Sequence, residues 1–381
     1  MRSSPAVKAM ALALALTTVA TLMAPSVRAQ DGFARVDALS AFIPTVLKQY
    51  NVPGVSVAVF RNFEIEWARG YGVANVDAGT PVDTLTLFQA ASISKPVAAL
   101  AVMRLVREGR LDLDRNVNEY LTSWKLPENE LTKAKPVTLR AILSHTAGLN
   151  VGGFKGYEAG APVPTVPQLL DGKPPANSEA VRVTKPVGEK FEYSGGGTTI
   201  MQQLLVDVLQ MPFPEIMRRY SLDPAGMRFS TYEQPLPARL APFASVGHEK
   251  GAVIKGGRHT YPEMAAAGLT TTASDLARFG IAIQKARLGF ENGLLSQELA
   301  NAMVTPVLPD SFGLGFESFR KDDAEKKYFG HTGGNVGYRC WLLVTKSGGN
   351  GVVILTNGDE WKAVQDIALR IAADYGWAEG K

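Results

Sequence analysis

Ser92-Ile93-Ser94-Lys95-Pro96-Val97-Ala98-Ala99-Leu100-Ala101-Val102-Met103-Arg104-Leu105-Val106-Arg107-Glu108-Gly109 is the stretch on which the reading of this chain turns. Its apolar periodicity predicts a helix over 94–108, with Gly109 suited to end it. Residues three apart share a helix face, so Ser92 at the first turn brings its hydroxyl near the amine of Lys95. A serine hydroxyl is a weak nucleophile and needs a base beside it. A lysine in a closed apolar site can serve, because burial disfavours its charged form and lets the proton leave near neutral pH. A helix N-terminus also favours the oxyanion that forms on attack. Alone, the pattern occurs by chance in most chains of this size, where it is an ordinary capped helix.

Outward from this stretch, hairpins and helices occupy both ends of the chain. Val36 to Tyr50 has helical spacing, with Val36, Leu39, Phe42, Ile43, Val46 and Leu47 on one face. Val55 to Phe60 and Ile65 to Trp67 are predicted strands joined at Arg61 to Phe63. At the far end, Tyr338 to Val344 and Val352 to Thr356 form a second predicted pair turned by Lys346 to Gly351, before a helix from Trp361 to Tyr375. Thr138 to Leu143, Thr199 to Leu209 and Ser274 to Lys285 are further helix candidates. The economical arrangement is α+β: one antiparallel sheet flanked by helices and built from both termini (about 30–90 and 265–381), with a mostly helical region (about 91–264) inserted, all in one catalytic unit over 30–381. The site belongs in the groove where the two parts meet. The Pro- and Gly-rich stretches Gly152 to Ala176 and Pro235 to Pro262 read as long loops.

Two more segments carry chemistry. Tyr193-Ser194-Gly195 offers a phenol that can relay a proton between nucleophile and leaving group. The Gly195-Gly196-Gly197 run lacks the context of a phosphate loop. His331-Thr332-Gly333-Gly334 precedes the strand from Tyr338. A glycine pair on an edge strand lets substrate approach the backbone, and the N–H groups of Gly334 and Ser92 could together form an oxyanion hole.

Bulk properties narrow the choice. The chain has 381 residues, 46% hydrophobic, enough for a sizeable core. Met1 to Ala29 reads as a cleavable signal peptide: Arg2 and Lys8 make a basic start, Ala9 to Met23 an apolar run too short for a comfortable span, and Val27-Arg28-Ala29 a small-residue cleavage site. The expected location is therefore the periplasm or the medium, with no membrane span left after processing. Removing Arg2, Lys8 and Arg28 from the 40 basic residues leaves 37 against 36 acidic ones, with no basic stripe, so nucleic acid is not an expected partner. The single cysteine, Cys340, cannot form an internal disulfide and reads as a buried small hydrophobe. The four histidines, His145, His248, His259 and His331, have no metal-ligand spacing, and no cofactor is called for. No Gly-x-Ser-x-Gly elbow supports a Ser-His-Asp hydrolase.

In order and spacing the three segments resemble the serine β-lactamase and penicillin-binding-protein superfamily, in particular its class C-like esterase and peptidase branch, whose motifs are Ser-x-x-Lys, Tyr-x-Asn and Lys/His-Thr-Gly. Gly109 to Asp114, Leu143 to Leu149, and Ala267-Gly268-Leu269 through Ser274 to Ala277 look like the same family, and the resemblance runs from about Val36 to Trp377. It implies that Ser92 is the acylated nucleophile, Lys95 its base or relay partner, and Tyr193 the group that moves the proton to the leaving group and activates water. His331, Thr332, Gly333, Gly334 and Gly195 would be on the substrate groove. His145 looks like a loop-structuring residue. Two departures stand out: Gly195 replaces the asparagine that holds a substrate amide, and His331 stands where many β-lactamases have lysine. Both tilt the expectation toward an esterase-like hydrolase of small acyl substrates or short peptides. The alternatives are a D-amino-acid peptidase or carboxypeptidase, a true class C β-lactamase, and an inactive binding protein of the same fold. Oligomeric state is open.

Overall fold

The computed structural model describes residues 27–291, 293–309, 312–319 and 327–377. The first 26 residues of the expected leader lie outside the described residues. Contacts divide the chain into residues 1–40 and 41–381, and the sheet and the site belong to the second unit. The longer helices among the described residues are α1 (Val27–Gln49), which crosses that division, α2 (Ser94–Arg107), α3 (Gly195–Leu209), α4 (Ala273–Arg287) and α5 (Trp361–Asp374).

The sheet has seven strands: β1 (Gly54–Arg61), β2 (Glu64–Asn75), β3 (Thr80–Pro81), β4 (Glu317–Phe319), β5 (Tyr328–Asn335), β6 (Tyr338–Thr345) and β7 (Gly351–Thr356). Their order is β3-β2-β1-β7-β6-β5-β4, and neighbours run antiparallel. The first and last long strands pair at the centre, from Val55 opposite Thr356 to Phe60 opposite Gly351. The sheet is thus closed from both ends of the chain, as expected. The turn between β1 and β2 places Asn62 and Phe63 at φ 52° and 65°, the two-residue left-handed turn whose twist matches the flanking strands.

Side chains alternate between two buried faces. Ala58, Phe60, Cys340, Leu342, Val344, Val353 and Leu355 join one large core with the helical region. Val57, Val59, Leu343, Val352 and Ile354 are also buried but turn to the other face, where α5 packs on β6 and β7. On the core face α4 lies close because Gly280 has no side chain: a Cβ there would sit 3.2 to 3.5 Å from Val344, Phe60 and Leu342. Cys340 is fully buried, and burial pushes its thiol up to about 12, so the small-hydrophobe reading holds.

Three local expectations are corrected. The helix expected from Thr199 begins at Gly195, with the Ser194 hydroxyl capping the Gly197 N–H at 3.0 Å. Glycine disfavours helix interiors, which hid this start, but three Cβ atoms here would strike Phe154, Val181 and Leu149. Packing requires the glycines, and tertiary contact outweighs propensity. The strand at Ile65 runs on to Asn75. Neither long loop is bare: the first holds a helical turn at Val166–Leu170, the second a 3-10 turn at Ala238–Phe243 and a small hairpin at His248–Glu249 and Ala252–Val253.

Candidate active site

Ser92 lies in a 3-10 turn, Ala91–Ile93, that runs straight into α2, so it precedes the α-helix instead of occupying its first turn. The i, i+3 relation survives: the Lys95 amine donates to Ser92 Oγ at 2.9 Å. Its second bond goes to the carbonyl of Ala266 at 2.8 Å. Ala91 holds φ 49°, a left-handed conformation costly for a residue with a Cβ, on the order of 1–2 kcal/mol. The Ser94 hydroxyl stabilises this turn, donating to Ala91 O at 2.5 Å and accepting from the Leu269 N–H at 3.0 Å, while the Tyr232 phenol donates to Ser94 O at 2.7 Å. Lys95 is buried, and burial alone lowers its pKa to about 7. Much of it is therefore a neutral amine at neutral pH, hydrogen-bonded to the hydroxyl it would deprotonate.

Tyr193 comes from the residue before the Ser194 cap of α3. Its ring centre is 5.0 Å from Lys95 Nζ. Burial raises the pKa of the phenol, and its hydrogen bond with the Ser92 side chain pulls in the opposite direction. Tyr193 is thus a neutral hydroxyl that can donate and accept, and Lys95 is the group whose charge changes near pH 7. The Ser92–Lys95 pair and a phenol about a hundred residues further along the chain meet in one place.

The opposite wall is β5. Strand β4 pairs only with its first residues, ending at Glu317 opposite Gly330, so among the described residues His331 to Asn335 have no strand neighbour on that side. This leaves an open strand edge toward the cleft, the position a bound acyl chain would share. His331 is buried, its pKa lowered to about 3 by burial and by the nearby Lys95, and its Nε2 has no hydrogen-bond partner among the described residues. It is a neutral imidazole and brings no positive charge to the groove.

Ser92, Tyr193, His331, Thr332 and Gly334 line one cleft of about 660 Å³. Gly333 and Gly195 are not among its lining residues. A Cβ on Gly333 would lie 2.3 Å from the carbonyl oxygen of Ala90, so its role is to let β5 pack directly on the turn carrying Ser92. A Cβ on Gly195 would sit 3.0 Å from the Phe154 ring and 3.1 Å from Gly152 O. The segment around Gly152 to Phe154 fills the room an asparagine would use. The cleft also includes Phe154, Phe191, Phe312, Arg339 and Trp361, which the sequence alone did not single out. Phe154 lay in a segment read only as loop, and isolated aromatics carry no motif.

A family model described as Beta-lactamase matches residues 34–375. Over 132 residues the chain is 35% identical to "Esterase EstB" of Burkholderia gladioli, a match covering 35% of this chain and 33% of that protein. It is 22% identical to "Protein flp" of Staphylococcus aureus (strain MW2) over 82% of this chain and 61% of that one, so it spans under two thirds of either relative. Among solved structures, the octameric penicillin-binding protein homologue from Pyrococcus abyssi superposes with TM-score 0.72 at 23% identity, covering 90% of this chain and 77% of that chain. With the matched span including all three motif segments, this chain belongs to the beta-lactamase family.

Proposed function

We propose that the chain is an exported, esterase-like serine hydrolase that forms an acyl-enzyme on Ser92 from small, uncharged esters. The observation that carries this reading is the buried Lys95 amine, poised near pH 7 and 2.9 Å from Ser92 Oγ, with the neutral phenol of Tyr193 beside the pair. The neutral amine takes the hydroxyl proton as Oγ attacks the ester carbonyl. The N–H groups of Ser92 and Gly334 hold the oxyanion. On collapse the C–O bond to the alcohol breaks, and the proton passes through the Tyr193 hydroxyl to the departing oxygen, returning Lys95 to its neutral form. Water then attacks the acyl-enzyme, its proton passing through the Tyr193 hydroxyl to the neutral Lys95 amine, and that proton returns to Ser92 Oγ as the acid leaves.

Preference for esters over β-lactams and peptides follows from what the groove lacks. Gly195 presents no amide-holding side chain, and Phe154 occupies the space. Neutral His331 offers no cation to a carboxylate at the motif position, the cations of the cleft being Lys155 and Arg339 on its walls. Phe154, Phe191, Phe312 and Trp361 instead give the groove apolar walls. The likeness to an esterase over a third of the chain agrees. Export rests on the leader-like sequence of Met1 to Ala29.

A fluorophosphonate should label the protein at Ser92 and fail to label Ser92→Ala; labelling that persists places the nucleophile elsewhere. Turnover of p-nitrophenyl butyrate should exceed that of nitrocefin, and the reverse order overturns the ester preference. Mass spectrometry of the protein from a fractionated host should find it outside the cytoplasm and shortened by the leader.

A further inference from the structure

Resting on the role of Tyr193 just proposed, we infer that His145 is its positioning residue: one side chain and its own carbonyl grip the tyrosine from both sides along the chain and from above its ring. The N–H of Glu192, the residue before Tyr193, donates to His145 O at 2.7 Å. The N–H of Ser194, the residue after it, donates to His145 Nδ1 at 3.1 Å. Between these two bonds the imidazole lies against the Tyr193 ring, centres 4.3 Å apart and tilted 33°. Phe312 packs beside both rings, its centre 5.0 Å from the imidazole at a near-perpendicular angle and 5.9 Å from the Tyr193 ring.

His145 is itself fixed. It holds φ 56°, a left-handed conformation, just after the short helix Leu139–Leu143, and its N–H returns to Ile142 O at 3.1 Å. The next residue continues the grip, with Thr146 O accepting from the Gly188 N–H at 2.6 Å. A backbone N–H can only donate, so Nδ1 must be the acceptor and the ring proton sits on Nε2. Burial and the nearby Lys95 keep the ring neutral, as that bond requires. No other residue among those described bonds to both chain neighbours of Tyr193, so this contact sets where the phenol points relative to Ser92. A displacement of about 1 Å in a catalytic group can cost about 10²-fold in rate. His145 touches no reacting atom; it acts through Tyr193.

The test separates positioning from general damage by leaving group. Nitrophenolate departs without a proton, whereas ethoxide needs one from Tyr193. His145→Ala should lower kcat/KM, which reports acylation and not the deacylation step both esters share, roughly 30- to 100-fold on ethyl butyrate but less than about fivefold on p-nitrophenyl butyrate. Tyr193→Phe should show the same leaving-group pattern, and the double variant should be no slower than Tyr193→Phe alone, because both changes remove one function. His145→Asn keeps an acceptor within reach of the Ser194 N–H and should recover about fivefold or more over the alanine variant. If His145→Ala does not fold, the asparagine variant carries the same comparison with a smaller loss. Equal losses on both esters, or losses that multiply in the double variant, overturn the inference. An unimpaired His145→Ala beside an impaired Tyr193→Phe sinks the positioning role alone. An unimpaired Tyr193→Phe removes the reading of Tyr193 and the inference with it.

Discussion

On the helical wall of the cleft, Lys95 gives its amine to Ser92 Oγ and Ala266 O, and the turn beneath it is tied by the Ser94 hydroxyl. On the strand wall, beside His331 and Thr332, two glycines shape the site by what they omit. Gly333 lets β5 rest on Ala90, and Gly334 leaves its backbone open beside Trp361. The first wall makes chemistry by burying polar groups that would be unreactive in water. The second makes room by omitting atoms. Damage to the first should therefore show in rate and pH dependence, and damage to the second in geometry and stability.

The largest effect tests the helical wall. Lys95→Met should lower kcat/KM by about 10³-fold or more while leaving the fold intact. It should also stabilise the protein. The folded pKa of Lys95, about 7, lies below the ordinary 10.5. Burying the charge therefore destabilises the fold fully below pH 7, progressively less from there to about pH 10.5, and not at all above. A tenfold change in the acidity of one group is worth about 1.4 kcal/mol, so denaturant titration at pH 6 should find the variant more stable by a few kcal/mol, with the gain vanishing near pH 10.5. A variant that loses activity and stability together would show that Lys95 is structural. In the parent, the rising limb of kcat/KM against pH should lie near pH 7, and should be absent in Lys95→Met.

Next comes the strand wall. In Gly333→Ala the added Cβ meets the Ala90 carbonyl at 2.3 Å, and neither backbone can yield without moving Ser92 or β5. We expect a loss of about 1–3 kcal/mol in stability by thermal denaturation, and about 10²-fold in kcat with the rising limb of the pH profile unmoved. A shifted limb would show that the two walls are not separable. Gly195→Asn is smaller, because a flexible ring at 3.0 Å can give way. Ester kcat/KM should fall by roughly three- to tenfold with no gain on nitrocefin. A tenfold gain on nitrocefin would mean that the missing side chain, and not the filled space, sets the preference. Phe191→Ala is the mildest. Phe191 is half exposed and stacks on Phe312 at 5.4 Å, so its loss should raise KM for aryl esters about two- to fivefold with kcat unchanged.

The central strands were legible because they are short apolar runs bounded by turn residues, and β1, β6 and β7 fall within a residue or so of their expected bounds, whereas β3, β4 and most of β2 were not placed. The start of α3 was not, because a glycine triplet signals a loop unless the neighbouring Phe154, Val181 and Leu149 are known. Gly333 and Gly195 were placed on the groove by motif position, and the structure adds that each leaves room for a neighbour, Ala90 and Phe154. A glycine in a sequence says that a side chain is missing and never what stands in its way.

The sequence by itself named the groups proposed to do the chemistry. Ser92, Lys95 and Tyr193 are named by residue type and spacing, and the hydroxyl–amine pair follows from helix geometry over three positions. Tertiary structure alone decided how reactive they are and what points them at each other. The pKa of Lys95 depends on burial against segments far along the chain, ending at Ala266. The aim of Tyr193 depends on His145, 48 positions upstream. Identity is local, whereas desolvation and orientation are sums over neighbours that only folding brings together.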